Sequence, residues 1–302
     1  MTGHSVIYSQ ISFLSGSVLE GAWQLDRFSS LPKRVLVQTV MFLVFGVASL
    51  GLLPTGAANA ATNINVAGYI FPPFIVNQSN GLTLDLISAL NAVQNEFTFK
   101  FNLTTPLRRY RDLKTGHADM VFFEMPEWGW RDRSISYSVT RKIIGGGEVY
   151  VARARPDRGQ DWFKNIKDRK IAAFAGYHYG FAGFNTDARW LKRNFDISLS
   201  RSHEANIRLV LNGRADLAVV TKSWLASHFV RNPGLQQQLM VSNQPDQIYS
   251  LKALIRSGCG LSIEKLEVLF DKLKKSGELV RLFSFGTRAG PVAAGRMGQA
   301  GF

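Results

Sequence analysis

Cysteine is almost absent: Cys259 is the sole thiol in 302 residues. No intrachain disulfide can form, which excludes a disulfide-stapled secreted module. No Cys/His cluster has the spacing of a structural zinc site, and His117, His178, His203 and His228 show no metal-ligand spacing either. The chain therefore calls for no cofactor. Charge is sparse at 19% of residues and acidic charge sparser, with 22 Asp+Glu against 36 Lys+Arg and a formal net charge of +14. Only one apolar run is long, and it lies before Pro54. What is present, 46% hydrophobic and 12% aromatic residues, is the balance of a globular chain with a full core and excludes a disordered or fibrous one. The basic surplus suits nucleic acid, an anionic surface or an acidic partner, and alone selects none of them.

The long run stretches from Val35 to Leu53, after Lys33 and Arg34. It is followed by Pro54-Thr55-Gly56 and by Ala58-Asn59-Ala60. A basic flank, an apolar stretch, a breaker and a small-residue site predict a signal peptide cleaved after Ala60. An uncleaved anchor is the alternative, because the run is about as long as a minimal membrane span. Without the leader 33 basic and 20 acidic residues remain, and no second run could span a membrane. Export together with a lone cysteine points to a Gram-negative periplasm. In that compartment nucleic acid is not an expected partner, and Arg108, Arg109 and Arg111 read as a solvated basic helix face.

Short strands alternate with helices along the rest of the chain, which predicts an α/β protein with mixed sheets. Strand-like runs occupy 63–69, 98–104, 118–123, 149–154, 170–175, 215–221 and 249–255. Helical spacing covers 81–93, 107–114, 187–193, 204–211 and 263–283, the last interrupted at Ser276-Gly277. The only triple glycine, Gly145-Gly146-Gly147, separates residues 61–146 from a second unit at 147–246. It suits either a hinge or an ordinary tight loop. A terminal strand and helix follow at 247–286, then a Gly/Ala-rich tail at 287–302 that is expected to fray.

Several spaced motifs carry a resemblance. Phe71-Pro72-Pro73-Phe74 precedes Gly81-Leu82-Thr83-Leu84-Asp85-Leu86-Ile87, which looks like a "G-φ-x-φ-D-φ" helix start. Leu113-Lys114-Thr115-Gly116-His117-Ala118-Asp119 looks like "L-x-x-G-x-x-D", and Arg131 to Ser138 like "R-x-x-x-I-x-F-S". Gly213-Arg214-Ala215-Asp216 and the closing Leu273-Lys274-Lys275-Ser276-Gly277-Glu278-Leu279 complete the series. In this order they resemble the periplasmic solute-binding proteins of family 3, the polar amino-acid receptors of ABC importers. The resemblance implies two α/β lobes joined by two crossovers and a ligand cleft between them, the type II periplasmic-binding-protein fold. It makes the glycine run a crossover and returns 247–286 to the first lobe. It also implies a monomer that receives a small polar or zwitterionic ligand and hands it to an ABC permease.

A zwitterion enclosed in a cleft loses its water, so each charged end needs a charged or dipolar partner. Arginine suits a carboxylate because its planar fork donates two parallel hydrogen bonds. The resemblance places that arginine four residues before Ile135, at Arg131; a surface ion pair, with Asp132 for example, is the other reading. The ammonium-binding Asp of the family is replaced by Thr221, with Lys222 next to it. The small hydroxyl residue expected after Gly176 is replaced by Tyr177 and His178. Glu124, where the family has a small residue, is a candidate counter-charge for a cation. Phe71 and Trp128 are candidate cleft walls.

The leading expectation is an exported, non-enzymatic solute-binding protein. One alternative is an enzyme similar to the exported cyclohexadienyl dehydratases, with Glu124 as the acid beside Arg131, Tyr177 and His178. The other is a sensor that passes its bound state to a membrane receptor.

Overall fold

The computed structural model describes residues 60–284. The expected leader and the Gly/Ala-rich tail lie outside the described residues. Nine strands form one continuous curled sheet. They are β1 (Thr62–Gly68), β2 (Phe97–Leu103), β3 (Met120–Glu124), β4 (Tyr137–Val139), β5 (Ile144–Arg153), β6 (Ile171–Phe174), β7 (Ile197–Ser200), β8 (Leu217–Thr221) and β9 (Leu239–Arg256). Their spatial order is β2-β1-β3-β9-β5-β8-β6-β7, with β4 pairing separately with β9. Helices α1 (Leu82–Ala92), α2 (Arg108–Thr115), α3 (Ala188–Asn194), α4 (His203–Leu211), α5 (Lys222–Arg231), α6 (Ile263–Lys275) and α7 (Glu278–Phe283) alternate with the strands.

The sheet has two halves. In the first, β1 pairs in parallel with β2 and β3. In the second, β6 pairs in parallel with β7 and β8. The long β9 serves both: Leu254 faces Val121 of β3, and Pro245 faces Val149 of β5. Strands β5 and β9 are thus the two chain segments that cross between the halves. Parallel strands need crossover helices, and the helices cover the sheet as that topology requires. Helix α2 stops where Gly116 adopts a left-handed conformation (φ 77°) and donates its N–H to the Leu113 carbonyl. Asp187, Ser202 and Ser262 cap the N-termini of α3, α4 and α6 through their side-chain oxygens. Helices α6 and α7 pack back on α1. One core runs from Ile64, Leu86 and Met120 through Leu251 to Leu217 and Val219. A second, made of Val149, Val151, Ile207, Val210 and Val220, lies on the opposite face of the second half.

The structure differs from the sequence expectation at three places. The triple glycine is neither a loop nor a free hinge: Gly145, Gly146 and Gly147 are strand residues of β5 paired with Ser250, Tyr249 and Ile248 of β9. A Cβ on Gly147 would lie 2.5 Å from the Gln247 carbonyl oxygen, so close strand approach explains the glycine there. Strand β7 and helix α5 have no counterpart in the periodicity reading, because β7 is only four residues long and α5 buries only Trp224 and Leu225. The terminal strand also starts earlier, because pairing with β5 extends β9 back to Leu239.

Candidate ligand-binding cleft

The first wall is built from the end of β3. Phe123 sits at a left-handed φ of 59°, and the β3–β9 register slips between Val121 and Glu124. A bulge of this kind redirects the next side chain. Here that side chain is Glu124, which is fully buried. Arg109, on α2, meets it with Nε 2.8 Å from Oε1. The indole N–H of Trp130 donates to Glu124 Oε2 at 2.8 Å. Arg109 also donates to the Pro106 carbonyl. Its guanidinium carbon lies 4.7 Å from the Tyr69 ring centroid, 4.2 Å from that of Tyr110 and 5.5 Å from that of Trp130. Burial pushes the Glu124 carboxyl up, while the guanidinium and the indole N–H pull it back. Burial works against the Arg109 charge, Glu124 favours it, and the balance is raised.

The second wall comes from β5, the turn after β6, and β9. Glu148 of β5 is fully buried. Its Oε2 accepts from Gln247 Nε2 at 2.8 Å, whereas Oε1 accepts no aligned hydrogen bond, although the Tyr249 phenol lies against the carboxyl. Among the described residues it forms no ion pair. Burial and then the charge of Asp246 push it well above the ordinary carboxylate range. Asp246 itself accepts from Tyr150 Oη at 2.5 Å and from the Gly180 and Phe181 amides. At the edge of this wall Thr221 Oγ1 lies 3.3 Å from His203 Nε2.

Direct bonds join the walls. Tyr110 Oη donates to the Trp128 carbonyl at 2.5 Å and lies 3.1 Å from His178 Nε2. With the phenol proton committed, a neutral His178 is the donor through Nε2. Trp128 Nε1 donates to Gln247 Oε1 at 3.0 Å, and Gln247 Nε2 also donates to the His178 carbonyl. Tyr177 Oη donates to the Ile70 carbonyl at 3.0 Å. Phe71 lies among rings from both sides: Tyr69, Phe74 and Trp128 from one, Tyr177 and Tyr249 from the other. His178 stacks on Trp128 at 6.0 Å with 13° between the planes. Burial, with Arg109 and Arg133 adding repulsion, holds His178 down at about 3, and burial holds His203 at about 3.

The structure therefore gathers Phe71, Glu124, Trp128, Tyr177 and His178 at the meeting of the two walls, with Thr221 behind Tyr249 and His203. Arg131 is elsewhere. Its side chain is 65% exposed, and Nη2 is 2.5 Å from Glu127 Oε1 one helical turn away, so its partner is neither Asp132 nor a cleft group. The turn 126–130 sends Trp128 and Trp130 inward and leaves Arg131 at the rim, with its N–H bonded to the Pro126 carbonyl. Arg109 reverses the opposite expectation: set among basic neighbours it read as solvated, yet it is fully buried because Glu124 is. His203 is buried as well. Glu148, Gln247, Tyr69 and Tyr249 carried no motif. The available signal was an acid at the head of the apolar strand 149–152, where an unpaired charge is costly.

Solved structures superpose on this chain. The GluR0 ligand-binding core from Nostoc punctiforme, in complex with L-glutamate, superposes with a TM-score of 0.56 at 15% identity, covering 73% of this chain and 97% of that one. The fold is that of a type II periplasmic-binding protein. The substrate-binding protein AbpA from Streptococcus pneumoniae, bound to L-arginine, gives 0.55 at 16% identity over 76% of this chain and 95% of its own. AncCDT-1, an ancestral amino acid-binding protein described as a precursor of cyclohexadienyl dehydratase, gives 0.54 at 19% identity over 74% and 94%. No family model matches the sequence, and no curated protein matches it significantly. The seam through Phe71, Trp128, Tyr177 and Gln247 lies where the two halves of the sheet meet. Among the described residues, no helix is long and apolar enough to cross a membrane.

Proposed function

We propose that the protein is an exported solute-binding protein that closes its two lobes on a small polar solute for delivery to an ABC-type permease. The observation that carries this reading is the cleft itself. Each lobe contributes buried polar groups that bond directly to the other, Tyr110 to His178 and Trp128 to Gln247. Only β5 and β9 tie the lobes together covalently. Such contacts can part and re-form around a guest, and affinity then comes from pre-placed groups and lobe closure. Dehydration with Glu124 as acid is disfavoured, because Arg109 and Trp130 already engage both of its oxygens.

Thermal unfolding of the purified protein against amino acids, amines, dicarboxylates and prephenate-like acids tests the reading. A ligand of the native state raises the midpoint in a concentration-dependent way. A flat response to every class at millimolar concentration would end the solute-binding proposal.

A further inference from the structure

The charges of the cleft do not balance as an amino acid would need. An α-carboxylate requires a cation or a set of free donors, and the buried candidates are committed. Arg109 spends its guanidinium on Glu124 and on the Pro106 carbonyl. Arg131 is at the surface with Glu127. The burial of His178 and His203 keeps both imidazoles neutral at ordinary pH. On the acidic side, Glu148 is fully buried, has no cationic partner among the described residues, and leaves Oε1 without an aligned donor. The phenols of Tyr69, Tyr177 and Tyr249 are within electrostatic reach of it. Their rings, with Phe71 and Trp128, form aromatic surfaces of the kind that attract an organic cation.

Resting on the solute-binding reading above, we propose that the cleft takes an organic cation that lacks a carboxylate, and that Glu148 is its counter-charge. The cation supplies the positive charge that the neutral donors Gln247 and Tyr249 do not, and offsets the desolvation of the buried carboxylate. A carboxylate on the same ligand would meet Glu124, Glu148 and Asp246, whereas the nearby Arg133 is solvent-exposed and lies over the Tyr110 ring at the rim. The groups facing Glu148 are Asp246, Gln247 and Tyr249 from β9, Tyr150 on its own strand, Tyr177 and Tyr179 after β6, and Tyr69 from the other lobe. None of them is cationic. Burial raises the Glu148 pKa, so a bound cation lowers it again and favours release of a proton to solvent.

The test compares amines with their carboxylated counterparts on the purified protein: agmatine with arginine, cadaverine with lysine, putrescine with ornithine, choline with glycine betaine. The expected result is a raised unfolding midpoint with at least one amine, the counterpart needing at least tenfold more for the same shift. Glu148→Gln, which keeps shape and removes charge, abolishes the amine shift. If that variant fails to fold, calorimetry of the unaltered protein in buffers of different ionisation enthalpy replaces it, with net proton release expected near neutral pH. An amino acid that matches or beats its amine overturns the cation assignment and leaves the solute-binding reading standing. An amine shift that survives Glu148→Gln, or binding without proton release, removes Glu148 from the role. Silence from all amines, amino acids and organic acids defeats both readings.

Discussion

Arg109 Nε lies 2.8 Å from Glu124 Oε1, and neither side chain has any solvent exposure. The pair closes the floor of the first lobe, with three aromatic rings around the guanidinium. A buried pair is far more sensitive to losing one member than to losing both, because the survivor is an uncompensated charge in a low dielectric. Arg109→Met or Glu124→Leu alone should lower unfolding free energy by about 3–5 kcal/mol. The double variant should recover a large part of that loss. Denaturant titration of the four proteins checks this, and additive losses would show that the two residues are not coupled.

Acid should destabilise the protein through its two buried histidines. His178 and His203 titrate at about 3 in the folded chain, against an ordinary value of 6.5. Between those values the unfolded chain binds more protons, so stability is present above 6.5 and is lost as pH falls toward 3. Glu148 acts oppositely: its raised pKa makes the folded state bind the extra proton, so its contribution declines as pH rises above the ordinary carboxylate value. Denaturant midpoints from pH 7 down to 4 should fall steeply, and less steeply in His203→Gln. Identical profiles for the unaltered protein and His203→Gln would contradict the burial of that imidazole.

Gly147→Ala puts a methyl group 2.5 Å from the backbone oxygen of Gln247. Backbone cannot swing aside as a side-chain tip can, so β5 and β9 must separate locally at the crossover. The expected loss is about 1–3 kcal/mol, with the Glu148–Gln247 hydrogen bond disturbed next to it. Unfolding free energy and the amine-induced shift should fall together. Unchanged stability would mean that the strands are not held this closely.

Arg131→Ala tests the motif-based assignment directly. An exposed i,i+4 ion pair contributes about 0–1 kcal/mol, so stability should hardly change. The ligand-induced midpoint shift should persist. Loss of that shift would return Arg131 to the cleft.

Much of the architecture was legible in the sequence because it is written in short-range chemistry. Alternating apolar runs and helical spacing reported the α/β alternation. The side chains of the cleft were less legible. Phe71, Glu124, Trp128, Tyr177 and His178, named from motif positions and from the loop before Arg131, lie together where the two walls meet. Arg131 was misplaced because a motif counts residues, whereas the turn 126–130 decides which of them face inward.

Sequence by itself determined the strand–helix rhythm, the basic surplus and the impossibility of an intrachain disulfide, since each depends on residue identity and neighbours a few positions away. Only tertiary structure decided which charges are buried and with whom. Arg109 and Glu124 are 15 residues apart, and Glu148 and Gln247 are 99 apart. Whether a charge is solvated, paired or left alone depends on which distant chain segments exclude water from it, and local pattern does not contain that information.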